Sequence, residues 1–278
     1  MLVNTARLTD AAKEGRYAVT GFCPMDIEQL SWCFEVSSKM RSPMIVCGGA
    51  TGGYTLEQYA NFVKYYANKF PEVPCALCLD HAPNYEQCAR AIKAGFTSVM
   101  IDLSMYDKET NIKGSKEVVD LAHICDVGVE TSIGGTSWRD PSPEEILAHM
   151  TKVEDMKDLV EGTGCDMVAV YVGGAHGDHR QDQVTILHYD LIEELRDCSD
   201  AALVMHGSSN TGDEKLAQAA KSGISKFNAA GDMLIGGIEE YGKVADTEDG
   251  GVGFEAIKRG FMKRAADYIT FFGSENKY

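Results

Sequence analysis

Cys75-Ala-Leu-Cys-Leu-Asp-His-Ala82 is the stretch around which the rest of the chain falls into order. Its front half is a short apolar run behind Pro74, which reads as a buried β-strand and not as a helix. Asp80 and His81 stand where such a strand ends, just before the Pro83-Asn84 turn that opens a helical pattern. An acid beside an imidazole at a strand exit is a position where α/β proteins place chemistry, and it also suits a plain helix cap. The flanking sequence has to decide between the two.

Upstream, Tyr17 to Cys23 and Pro43 to Cys47 read as strands, with helical patterns over Ile27 to Met40 and Leu56 to Lys69. Downstream, Tyr85 to Lys93 reads as helix, Thr97 to Asp102 as strand, Lys116 to Ile124 as helix and Val127 to Ile133 as strand. A longer polar passage follows, in which Pro141-Ser-Pro143 leads into helical patterns through Val160. Strands are then expected at Met167 to Val172, Ala201 to Met205 and Ile224 to Phe227. Helices are expected at Tyr189 to Arg196, Glu214 to Lys221, Met233 to Val244 and Phe254 to Tyr268. Gly95 and Gly223 each fall just past a helical pattern, where a C-cap belongs. Eight βα repeats without an evident linker predict a (β/α)₈ TIM barrel spanning 1–278 as one domain. A doubly wound open sheet is the alternative.

With 44% hydrophobic and 24% charged residues the chain has ample material for a core. The formal charge of −16 argues against nucleic acid and anionic membrane as partners, but it does not exclude an anionic substrate at a local basic or metal site. Nine cysteines, an odd number lying mostly in apolar strand-like or helical runs, indicate reduced, buried thiols in a cytoplasmic protein. Cys75 and Cys78 form a C-x-x-C, but within a strand their side chains point to opposite faces and no second pair follows. Residues 1–15 hold no apolar segment of the signal-peptide kind, and no apolar run reaches 18 residues, so a soluble, non-membrane chain is expected.

In a barrel, catalytic groups belong at the C-terminal ends of the strands. His81 ends the third strand, His176 follows the sixth in Gly173-Gly-Ala-His-Gly177, and His206 ends the seventh in Met205-His-Gly207. Each taken singly could be a hydrogen-bonding turn residue. Three imidazoles reaching one rim from separate strands form a plausible metal site with a position open to substrate or water. Asp80 then becomes a proton donor or acceptor beside the metal. Asp102 and Glu130 read either as carboxylates that orient a metal-bound imidazole or as satisfied polar groups inside the barrel. Asn228 reads as a contact for a substrate hydroxyl or as a turn residue.

Leu79-Asp-His81, Gly95-Phe-Thr-Ser-Val-Met-Ile-Asp102, Ile133-Gly-Gly135, Gly174-Ala-His-Gly177, His206-Gly207 and Lys226-Phe-Asn228 together resemble the class II, metal-dependent ketose-bisphosphate aldolases. The resemblance runs from Tyr17 onward and includes fructose- and tagatose-bisphosphate aldolases. It implies a single Zn²⁺ bound by His81, His176 and His206, with Asp80 as the acid/base and Asn228 on the substrate; it also leaves room for a monovalent cation. Asp102 matches an acidic position near the metal, and Glu130 one of two family carboxylates that an alternative metal position would use. The implied reaction is reversible cleavage of a ketose phosphate to dihydroxyacetone phosphate and an aldehyde through an enediolate, in a homodimer or homotetramer.

Departures cluster in the loops. The polar loop after the fifth strand keeps only Asp140 as a substitute for the family's acidic residues, and the loop after the seventh reads His206-Gly-Ser-Ser-Asn210. Gly231 stands where the family has a phosphate-binding Thr, leaving Gly177, Gly207 and Ser209 for the anion, with Arg180 as a candidate supplement. These changes point away from plain fructose 1,6-bisphosphate as the preferred substrate. The alternatives are a sugar-phosphate isomerase or epimerase on the same barrel, and a sugar-phosphate-binding homologue without activity.

Overall fold

The computed structural model describes residues 2–49, 53–134, 143–173, 186–209, 211–246 and 249–278. Among them, eight parallel strands close into a barrel in chain order, with β1 pairing β8 to complete the ring. The strands are β1 (Val19–Phe22), β2 (Met44–Gly48), β3 (Cys75–Ala82), β4 (Ser98–Ile101), β5 (Gly128–Ile133), β6 (Met167–Val170), β7 (Ala202–Met205) and β8 (Ile224–Ala229). Helix α1 (Thr5–Gly15) precedes β1. Then α2 (Ile27–Met40), α3 (Leu56–Lys69), α4 (Tyr85–Ala94) and α5 (Lys108–Ile124) follow the first four strands in turn. Helices α6 (Pro143–His149) and α7 (Val153–Thr163) follow β5, α8 (Tyr189–Cys198) follows β6, α9 (Asp213–Ser222) follows β7, and α10 (Gly231–Gly242) and α11 (Gly250–Phe271) follow β8. The expected TIM barrel is the fold observed.

Local chemistry sets the helix ends. Asp26, Asn84 and Asp107 each accept a backbone N–H of the following first turn, and Thr55 with Gln58 forms a reciprocal capping box. Gly95 and Gly223 close α4 and α9 at positive φ, as their place in the sequence predicts. Two helices depart most from the expectation. Helix α5 starts at Lys108, eight residues before the predicted Lys116, because Gly114 interrupts the helical pattern. A Cβ at that glycine would lie 2.5 Å from Leu103 Cδ1, so any larger residue there would make the leucine side chain shift. Helix α1 was not anticipated. It packs against β1, β3, β5, β7 and β8, and its Leu8 and Ala12 are buried with Val19, Ile45, Ala76 and Cys78, closing the N-terminal mouth of the barrel.

Strand alternation separates two layers of core. Outward residues such as Val46, Leu77, Val99, Val129, Val168 and Leu203 pack beneath the helices. Inward residues form the floor of the barrel, including Ile45, Cys78, Met100, Met167 and Val204. Both faces are therefore apolar, which is why the strands read as continuous hydrophobic runs. Continuing the inward series toward the strand ends changes its chemistry. Ala76 and Cys78 lead to Asp80, Met100 leads to Asp102, and Ala202 and Val204 lead to His206. Glu130, Lys226 and Asn228 join them from β5 and β8. The polar residues thus gather above an apolar floor, at the rim where barrel chemistry resides.

Candidate active site

Simple alternation would aim Asp80 inward and His81 outward under the helices. The structure overrides it. His81 adopts a left-handed backbone conformation (φ 48°), and the ladder between β3 and β4 slips between Leu79 and Ala82. This bulge re-aims the imidazole to the inner rim. A non-glycine residue there costs about 1–3 kcal/mol and persists only if its surroundings hold it. Here Asp102 Oδ2 lies 2.8 Å from His81 Nδ1, while Asp102 Oδ1 accepts hydrogen bonds from the Ser104 amide (3.2 Å) and hydroxyl (2.7 Å). Burial opposes ionisation of Asp102, but the hydrogen bonds from His81 and Ser104 outweigh it and hold the carboxyl at about 2. Burial likewise disfavours protonated His81, yet Asp102 and the charges of Asp80 and Glu130 leave its pKa raised.

His206 is fixed in the same manner from the other side. Its Nε2 lies 2.9 Å from Glu130 Oε1, and the second oxygen of Glu130 accepts the Lys226 ammonium at 2.6 Å. The Lys226 and Glu130 side chains are both fully buried. Desolvation disfavours each charge, but their mutual attraction and the His206 hydrogen bond hold the Glu130 carboxyl down at about 2 and keep Lys226 raised. Two imidazoles thus each have one ring nitrogen committed to an ionised carboxylate.

Their remaining nitrogens, His81 Nε2 and His206 Nδ1, face each other at 2.9 Å, the rings inclined at 77°. With N–H donated outward to Asp102 and to Glu130, the inner nitrogens of two neutral rings present opposed lone pairs. Only a proton or a cation between them relieves that repulsion. Asp80 completes the set: ligand atoms of Asp80, His81 and His206 all lie within 4.8 Å of one another. Imidazole nitrogens, each ring oriented by its own acid, with a carboxylate close at hand, are the chemistry of a divalent transition-metal site. The residues present fit such an ion.

A profile described as fructose-bisphosphate aldolase class-II matches residues 3–277. The chain belongs to the class II fructose-bisphosphate aldolase family. It is accordingly an enzyme, a lyase of the aldolase type, and the family is generally metal-dependent. Among solved structures it is similar to the YdjI aldolase of Escherichia coli K12, at 27% identity over 99% of this chain and 98% of that one, with TM-score 0.86. A putative fructose-1,6-bisphosphate aldolase from Coccidioides immitis shares the fold at 21% identity, covering 97% and 96% of the two chains with TM-score 0.82. So does the fructose-bisphosphate aldolase of Campylobacter jejuni, at 18% identity over 100% and 97% with TM-score 0.82.

In this aldolase Asp80 is held as firmly as the imidazoles. Asn228 Nδ2 donates to Asp80 Oδ1 at 3.0 Å, and the Cys47 thiol donates to Asn228 Oδ1 at 3.6 Å, which fixes the orientation of the amide. One carboxylate oxygen is thereby anchored and the other is left for chemistry. Gly207 (φ 73°) turns the chain directly after His206, and Ser209 follows it beside the opening of α10. A Cβ at Gly231 would lie 3.8 Å from Ser209 Oγ, an ordinary contact, so space does not force the absence of the family's Thr. Ser208 Oγ is buried with no hydrogen-bond partner among the described residues.

Of the residues singled out from sequence, Asp102, His81, His206 and Glu130 form one hydrogen-bonded chain and Asn228 and Asp80 a second beside it, with Asp80 within 4.8 Å of both imidazoles and Gly207 and Ser209 next in the chain after His206. His176, Gly177, Arg180, Asp140 and Asn210 lie outside the described residues. His123 pairs with Asp166 on the surface, and His149 and His188 sit at the end of α6 and the start of α8, away from the site. Lys226, Ser104 and Cys47 were not foreseen as parts of the site. For Lys226 a signal existed: it stands two residues before Asn228 in a strand, so both must face the interior.

Proposed function

We propose that this class II aldolase reversibly cleaves a ketose phosphate into dihydroxyacetone phosphate and an aldehyde, using one Zn²⁺ held by His81, His176 and His206. The observation that carries the reading is the pair of facing imidazoles, each locked by its own buried or half-buried carboxylate, with Asp80 at their side. A divalent metal bound there supplies Lewis-acid polarisation of the ketose oxygens next to the bond that breaks.

The chain's own residues do the rest. Asp80 accepts the proton of the hydroxyl adjacent to the scissile carbon–carbon bond. As that C–O becomes a carbonyl, the bond breaks, its electron pair stays on the donor fragment, and that carbon then takes up a proton to leave as dihydroxyacetone phosphate. Asp80 returns the proton in the reverse direction. Asn228 keeps the carboxylate aimed, and Asp102 and Glu130 hold the imidazoles in the tautomer that presents a lone pair. Gly177, Gly207 and Ser209 would seat the phosphate on backbone N–H groups and a hydroxyl, with Arg180 supplementing them. The altered loops favour a ketose phosphate other than fructose 1,6-bisphosphate.

Product analysis tests this. Incubated with a panel of ketose mono- and bisphosphates, the metal-loaded enzyme should release two fragments, one of them dihydroxyacetone phosphate. Asp80→Asn should retain metal while losing about 10²–10⁴-fold in turnover. A single isomerised product, or an Asp80→Asn variant with full activity, would overturn the reading.

A further inference from the structure

Three thiols stand side by side across the inner wall of the barrel. Cys47 on β2 and Cys78 on β3 are direct register partners, and Cys23 falls opposite Cys47, one residue beyond the Phe22–Val46 pair of β1 and β2. Cys23 keeps the inward face of Gly21, two residues before it, and its thiol folds back to the Gly21 carbonyl at 3.8 Å. Hydrogen bonds link the Cys47 thiol to Cys23 on one side and to Cys78 on the other. Of the nine cysteines, only Cys23, Cys125 and Cys198 reach the surface. Cys23 lines a cavity of about 670 Å³ that opens beside Asp80, and buried Cys47 stands in the same wall.

Cys47 also touches the machinery of the site. Its thiol donates to Asn228 Oδ1, and Asn228 Nδ2 donates in turn to Asp80 Oδ1. Gly21 makes room for this junction, since a Cβ there would lie 3.0 Å from both Cys47 Sγ and Asn228 Oδ1. The hydrogen bond with Cys23, opposed by the one with Cys78 and reinforced by burial, holds the Cys47 thiol well above its ordinary pKa. At rest it is therefore an S–H donor. Neighbouring strands run about 4.8 Å apart, within the Cα separation of about 4.4–6.8 Å that a disulfide spans. A part-exposed thiol beside a second, resolving thiol is the arrangement of a redox-sensing cysteine.

We propose that Cys23 is a reversible oxidation site for small hydroperoxides, and that Cys47 closes it into a Cys23–Cys47 disulfide that releases Asn228 from Asp80. The Cys23 thiolate attacks the outer oxygen of the hydroperoxide; the O–O bond breaks, leaving a sulfenic acid on Cys23 and releasing an alcohol, or water from hydrogen peroxide. The Cys47 sulfur then attacks the Cys23 sulfur, the S–O bond breaks, and hydroxide leaves as water with the Cys47 proton. Two thiols lose two electrons and the peroxide gains them. The new bond consumes the S–H that fixes the Asn228 amide, so the anchor of Asp80 is lost while His81 and His206 are untouched. The loss of turnover rests on the aldolase reading; the disulfide itself does not. In a reducing compartment such a bond is transient, and a dithiol reductant reopens it.

The test treats metal-loaded enzyme with hydrogen peroxide, quenches with catalase, and maps disulfides by mass spectrometry without reduction, alongside ketose-phosphate cleavage and metal content. Wild type should lose two hydrogens in a Cys23–Cys47 linked peptide and about ten- to a hundredfold in cleavage, the scale set by a misplaced catalytic group. Its metal content should be unchanged, and dithiothreitol should restore activity. Cys23→Ser should cleave normally before treatment and resist peroxide. Cys47→Ser should stop at a Cys23 sulfenic acid, trapped by dimedone. Cys125→Ser, which removes the exposed thiol after α5, should respond like wild type. A Cys47–Cys78 link instead, a linked enzyme with full cleavage, inactivation that tracks metal loss, or a Cys23→Ser variant inactivated like wild type each overturns the proposal. Hydroxymethyl hydrogen exchange of dihydroxyacetone phosphate in untreated enzyme judges the aldolase reading separately. Its absence removes that reading and the predicted effect on turnover, while the peptide map still decides the disulfide.

Discussion

Replacing Lys226 by Met tests how the catalytic rim is held. The substitution keeps length and apolar stem but removes an ammonium that lies 2.6 Å from Glu130 Oε2, in a pair with no exposure on either side. Glu130 would keep only the His206 hydrogen bond at 2.9 Å, leaving a carboxylate buried without its counter-charge. Breaking a buried pair from one side costs about 3–5 kcal/mol. At roughly 2 °C per kcal/mol for a chain of this size, Tm should fall by about 6–10 °C. Calorimetry should be done on chelated protein, so that weaker metal binding does not add to the loss. The double variant Lys226→Met/Glu130→Gln removes both charges and should regain much of the deficit, because the stranded ion is gone. A fall of under about 2 °C in the single variant, or a double variant that falls by the sum of the singles, would refute the reasoning.

Asp102→Ala should leave the fold intact but free the His81 ring, whose bulged backbone relies on that carboxylate. Metal affinity, measured by competition with a chromophoric chelator, is expected to drop about 10–100-fold, and unchanged affinity would contradict the orienting role. Acid stability follows from Glu130, whose folded pKa of about 2 lies below its ordinary 4.5. Its contribution is present above the unfolded value and is lost as pH falls through about 4.5 toward 2. Chelated wild type should therefore lose Tm more steeply across that window than Glu130→Gln, and parallel curves would count against the depressed pKa.

How legible this was depends on the kind of constraint. The barrel was readable because βα alternation and apolar runs buried on two faces report directly on strand and helix period, and α2, α3 and β3 fall where the pattern puts them. The polar rim was readable in part, since Asp80, His206 and Asn228 simply continue inward strand series. His81 was not, in detail: its position depends on a bulge that shifts one residue between Leu79 and Ala82, and no local residue preference announces that shift. Lys226 was missed for a related reason. Its spacing from Asn228 puts it inside the barrel, but the carboxylate that accepts its charge, Glu130, lies 96 positions away and meets it only once the ring is closed. Helix α1 escaped because its amphipathic face is meaningful only against the barrel floor it covers. Gly114 concealed the first turns of α5 by serving a tertiary contact.

The most direct measurement is hydrogen exchange at the hydroxymethyl carbon of dihydroxyacetone phosphate, followed by NMR in D₂O. It isolates the donor half of the proposed reaction, formation of the enediolate and its dependence on metal, and it requires no knowledge of the aldehyde. Metal-loaded wild type should exchange one hydrogen stereospecifically, with exchange abolished by chelation and restored by Zn²⁺, and His206→Ala should lose both exchange and bound metal. Exchange that persists in chelated protein, or none in protein shown to carry stoichiometric metal, would contradict the assignment of this rim as a metal-dependent aldolase site.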